Sequence, residues 1–98
     1  MKRVLIMIML AVTVPANIVA QSYELNRAKR LIENKEYKEA AILLRPLAEN
    51  GNPEAQYLAA GLFVDGKGVI KSEKQAEKYY ILAMNGGYEQ AAVALMEL

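Results

Sequence analysis

The sequence predicts an all-α fold, a short stacked array of helix pairs, and three observations predict it. Apolar residues recur at helical spacing along most of the chain, and no stretch alternates as a strand would. The middle of the chain returns in its second half at an offset of 35 residues. Leu47-Ala48 comes back as Leu82-Ala83, Asn50-Gly51 as Asn85-Gly86, and Ala41, Glu54 and Ala59 as Ala76, Glu89 and Ala94. Glycine, proline and capping residues stand between the apolar runs, where helices should stop and start.

The first twenty residues read as separate from this array. Lys2-Arg3 opens the chain, Val4 to Val14 is apolar apart from Thr13, and Pro15 precedes Ile18-Val19-Ala20. A charged start, a short apolar run and a small residue at the end describe a secretory signal peptide, cleaved after Ala20. Ile18 departs from the small residue preferred at that site, and an uncleaved anchor is the competing reading. The apolar run is well short of the roughly 20 residues a bilayer core requires, so stable membrane insertion after cleavage is not expected. Residues 21–98 then form one small helical domain.

The first helix of that domain is expected from about Tyr23 to Glu33, with Leu25, Ala28, Leu31 and Ile32 on one face and Arg27, Lys29 and Arg30 on the other. Asn34-Lys35-Glu36 makes a turn. A second helix, Tyr37 to Glu49, carries Ala40, Ala41, Leu44, Leu47 and Ala48 and closes at Asn50-Gly51. Pro46 inside it predicts a bend. Pro53 opens a third helix with Asn52 as its cap, running to about Val64. Asp65-Gly66-Lys67-Gly68-Val69 is a long turn. It lacks the preceding strand and the Lys-Ser/Thr ending of a phosphate loop. Ser72 caps a fourth helix, with Gln75 completing a capping box and Ala76, Tyr79, Tyr80 and Ala83 forming its apolar stripe. After Asn85-Gly86-Gly87, a fifth helix runs from about Tyr88 to Leu98.

The segment Leu47 to Gly87 resembles the Sel-one-like repeat, a tetratricopeptide-related helix pair. The resemblance is carried by Gly51-Asn52, Ala55-Gln56, Ala60, Phe63, the Gly66-Lys67-Gly68-Val69 loop, Ala76 and Tyr79-Tyr80. Ala59 stands where leucine is usual and Met84 where a second alanine is usual, both expected as core changes. Ala28 to Leu47 resembles an ordinary tetratricopeptide repeat. The resemblance implies a short right-handed α-α superhelix of about five helices. It also implies a concave face, lined by the first helix of each pair, that takes a ligand peptide. On that face Leu25, Lys29, Ile32, Glu54, Tyr57, Gly61, Glu89 and Ala92 are the candidate contacts. The alternative is that several of them, Ile32 above all, pack inward.

Composition narrows the chemistry. There is no histidine to act as base, and no cysteine for nucleophilic or zinc chemistry. Ser72 is read as a cap, Asp65 as a turn residue, and Glu33, Glu36 and Glu39 as a solvated surface. A hydrolase would need two carboxylates about 5–10 Å apart in a cleft. With the leader removed the chain is slightly acidic, which gives no electrostatic reason to expect nucleic acid or anionic lipid. Absence of cysteine in an exported domain suits a bacterial periplasm. The last helix is apolar nearly all round, so Val93 and Met96 are candidates for self-association or a partner contact. The expectation is therefore a periplasmic or secreted, non-catalytic module that needs no cofactor. Its partner would be a protein or peptide, or a second copy through the last helix. An inhibitor or regulatory subunit of an envelope enzyme is the alternative.

Overall fold

The computed structural model describes residues 16–98, with side chains from Val19 onward. The leader expected over residues 1–20 lies largely outside them. The fold is all-α, and five helices follow in order: α1 (Ala16–Glu33), α2 (Tyr37–Glu49), α3 (Pro53–Asp65), α4 (Glu73–Asn85) and α5 (Glu89–Glu97). Short connections turn each helix back onto the one before it, so α1 packs on α2, α2 on α3, α3 on α4 and α4 on α5. Helix α1 begins at Ala16 rather than near Tyr23 and passes without a break through Ala20. Alanine and glutamine at positions 16, 20 and 21 favour helix there, and no breaker intervenes after Pro15.

The structural repeat is 36 residues, not the 35 suggested by the sequence identities. Helix α2 spans 37–49 and α4 spans 73–85, while α3 starts at 53 and α5 at 89. Buried Ala40 and Ala55 correspond to buried Ala76 and Ala91 at that spacing. The closing bonds agree: Gly51 N–H donates to Ala48 O and Asn52 N–H to Leu47 O, as Gly87 does to Met84 and Tyr88 to Ala83. Gly51 and Gly87 both take left-handed backbones, with φ of 93° and 96°. Matching Asn50-Gly51 to Asn85-Gly86 therefore slips the register by one. The extra glycine at 87 hides the slip from a comparison of letters.

Residue Lys35 closes α1 in the same way, with φ of 63° and its N–H on Ile32 O at 3.0 Å. A lysine holds this conformation at a cost, because its Cβ crowds the following carbonyl. Asn52 caps α3 as expected, accepting from Ala55 N–H at 2.9 Å. Ser72 caps α4 by accepting from Gln75 N–H at 3.1 Å. The reciprocal half of the expected capping box is replaced: Ser72 N–H donates to Phe63 O at 3.0 Å, which ties the loop back to α3.

That loop distinguishes the two helix pairs. Residues 34–36 join α1 to α2, whereas 66–72 join α3 to α4. The longer connection reaches across to the preceding pair. A Cβ on Gly68 would overlap the Tyr37 carbonyl and come within 2.7 Å of Lys38 N, and φ there is 75°. Gly68 thus seats the loop on the start of α2, a packing role that explains the glycine without any ligand.

Two contiguous groups of side chains make the core. One joins α1, α2 and α3 through Leu25, Ala28, Leu44, Leu47, Ala55 and Leu62. The other joins α3, α4 and α5 through Ala60, Ala76, Tyr80, Ala83 and Ala91. Alanine at the crossings lets helix axes approach closely. Ala59 belongs to the first core, but Met84 is 39% exposed and in neither core, so the expected core substitution there lies at the surface. Gln56 is buried and donates from Nε2 to Ala48 O at 3.1 Å, satisfying a carbonyl in the last turn of α2.

Candidate surface on α1, α3 and α5

The first helices of successive units meet on one face of the protein. Lys29 on α1 pairs with Glu54 on α3, Nζ to Oε2 at 2.5 Å. The hydrogen bond to Glu54 raises the Lys29 ammonium above its ordinary value, against the opposing effect of burial. One turn along α3, Tyr57 sits between two other tyrosines. Its ring lies 4.9 Å from Tyr88, which leads into α5, and 5.6 Å from Tyr80 of α4. Burial pushes both Tyr80 and Tyr88 hydroxyls up, reinforced by Tyr57 beside Tyr80 and by Glu54 beside Tyr88.

Farther along α3 the surface sinks into an open cleft of about 240 Å³. Ile32 and Tyr37 form one wall, and Tyr57, Leu58 and Tyr80 contribute the other apolar surface. Gly61 leaves a gap in it. At one end Lys67 lies over the Tyr37 ring at 5.1 Å and 3.7 Å from Asp65. Both charged pairs on this face are internally balanced, so the face offers apolar and aromatic contact rather than net charge. Asp65 is the one carboxylate among the lining residues. Among the described residues no group of three acidic side chains gathers closely enough to hold a metal ion, and no helix is long and apolar enough to cross a membrane.

The candidate contacts read from the sequence divide into groups. Ile32, Tyr57 and Gly61 line the cleft, and Lys29 and Glu54 lie beside it as a pair. Ile32 is half-buried, packed on the first core and open to the cleft at once. Leu25 is a correction: it is buried in the first core, because it falls on the side of α1 that faces α2 and α3. Glu89 is exposed and Ala92 half-buried on α5, outside the cleft. Val93 and Met96 are exposed. Tyr37, Leu58, Asp65, Lys67 and Tyr80 line the cleft and are absent from the candidate set. Tyr37 and Tyr80 belong to second helices, which a face assigned to first helices alone leaves out. Comparison with protein-family models, with curated proteins and with solved structures finds no match for this chain.

Proposed function

We propose that this chain is a non-catalytic protein-interaction module of the bacterial periplasm, and that it holds an extended segment of a partner protein against the cleft on α3. The observation that carries this reading is Gly61. It is the ninth residue of a thirteen-residue helix, where glycine costs roughly 0.5–1 kcal/mol relative to alanine. No packing demands it: a Cβ there would have only Tyr80 Oη within 4 Å, at 3.8 Å, an ordinary contact. This differs from Gly68, whose Cβ would strike backbone. A destabilising glycine at the floor of an aromatic cleft is accounted for if something must approach the helix closely. The tyrosine walls supply large contact area with few rotatable bonds. The likeness to Sel-one-like and tetratricopeptide repeats points to the same face.

The test fills the cleft from its floor, beside Tyr80. Gly61→Leu and the parent are used side by side to capture proteins from a bacterial envelope extract, with folding checked by circular dichroism. A protein retained by the parent and lost with Gly61→Leu supports the proposal. Equal retention by both folded forms refutes the cleft as its seat. If the captured protein is an enzyme whose activity falls on binding, the role is that of an inhibitor.

A further inference from the structure

The second feature that asks for an occupant is the uncovered face of α5. Val93 and Met96 lie 36 residues beyond Tyr57 and Ala60, which pack against α4 in the preceding unit. On α5 the corresponding positions have nothing over them, and Val93 is 58% and Met96 88% exposed. Glu89, Val93, Met96 and Glu97 fall at i, i+4, i+7 and i+8, so they form one stripe: acid, apolar, apolar, acid. No basic residue lies on α5.

A matching stripe lies on α2. Lys38, Ile42 and Arg45 stand at i, i+4 and i+7, all exposed, with Ile42 at 65%. Together with Pro46, Gly68 and Val69 they line a groove of about 280 Å³ that contains no acidic residue. The groove exists because Gly68 brings the 66–72 loop down on the start of α2. Ile70, next to Val69, is 90% exposed. The two stripes also agree in length. At a rise of about 1.5 Å per residue, Lys38 and Arg45 lie about 10 Å apart along α2, and Glu89 and Glu97 about 12 Å apart along α5. Each encloses its apolar residues between its charges. Glu49, a turn beyond Arg45, lies outside the groove lining.

We infer that α5 of one molecule docks in the α2 groove of a second copy. Val93 and Met96 enter against Ile42 and Val69, and Glu89 and Glu97 are paired with Lys38 and Arg45. Because the two surfaces differ, the contact is head-to-tail, and it closes as a ring or extends as a chain according to its rotation. It uses neither the cleft on α3 nor Gly61, so it stands apart from the proposed partner-binding surface.

Sedimentation velocity of the full chain, run over a range of concentrations in about 0.15 M and about 1 M salt, reads this contact. The expected result is concentration-dependent association that weakens in high salt. Lys38→Glu with Arg45→Glu should weaken it by about tenfold or more, and Glu89→Lys with Glu97→Lys should do the same. The chain carrying all four reversals should recover association, because the charges match again. All four positions are exposed, so circular dichroism should remain that of the parent. A chain that is monomeric at every concentration overturns the inference. So does association indifferent to the reversals, or a fourfold variant that stays as weak as the two halves.

Discussion

Replacing Gly68 by alanine tests whether the long loop is a fixed part of the fold. The added methyl would overlap the Tyr37 carbonyl and sit 2.7 Å from Lys38 N, and neither can move without disturbing the first turn of α2. Two costs combine. Holding alanine at φ of 75° is worth about 1–2 kcal/mol, and forcing a methyl into a filled space adds about 1–3 kcal/mol. Relief would come only from lifting the loop, which would pull Val69 off the first core. We therefore expect a loss of about 3 kcal/mol, large for a domain of this size, where total stability is on the order of 5 kcal/mol. Urea unfolding followed by circular dichroism measures it. A midpoint within error of the parent would show that the loop is not seated on α2, and would remove the physical basis of the α2 groove as well.

Gly61→Ala should act in the opposite direction, raising stability by about 0.5–1 kcal/mol, because its methyl meets nothing closer than Tyr80 Oη at 3.8 Å; a fall in thermal midpoint would contradict the open floor of the cleft. Lys35→Gly should gain roughly 0.5–1 kcal/mol by relieving the left-handed lysine that closes α1, read as a higher urea midpoint. Stability should fall as pH rises above about 10. Lys29, Tyr80 and Tyr88 all hold their protons more tightly folded than unfolded, so their contribution is complete below the ordinary values of 10.5 and 10.0 and is lost above them. Urea midpoints compared at about pH 9 and about pH 11 check the sign, and Tyr80→Phe should lessen the fall.

The helices were legible because their signals are local. Asn52-Pro53, Ser72 and the glycines after α2 and α4 each act within a few residues, and those boundaries match. The start of α1 was not, because the apolar pattern used to place it begins with Leu25, while the helix runs back to Ala16 through a stretch of mixed propensity, where Asn17, Ile18, Val19, Ser22 and Tyr23 give no local start signal. Register was harder still. Identical letters at 35 residues outweigh the true spacing of 36, since Ala41 and Ala76 look alike although only Ala76 is fully buried. The cleft was half legible: Ile32, Tyr57 and Gly61 follow from the face of the first helices. Tyr37, Tyr80 and Lys67 enter from a second helix or the loop through contacts that no single-helix pattern encodes.

The glycines of this chain separate what the fold requires from what it tolerates. Gly51 and Gly87 close helices through left-handed backbones, and Gly68 fits where a methyl would strike a neighbouring helix. Each is explained by a local cost that any other residue would raise. Gly61 has no such account, since its position is helical and the space beside it is open. The same contrast holds among the exposed apolar residues. Ile81, Leu82 and Met84 on α4 are only 38–41% exposed, the kind of partial exposure that folded proteins carry without consequence. Val93 and Met96 lie where the preceding unit has a helix over it, flanked by charges opposite in sign to those on α2 and similarly spaced. A feature the fold would be more stable without, or a face the repeat itself covers elsewhere, is where function should be sought. By that criterion the floor of the α3 cleft and the outer stripe of α5 are the places to look among the described residues.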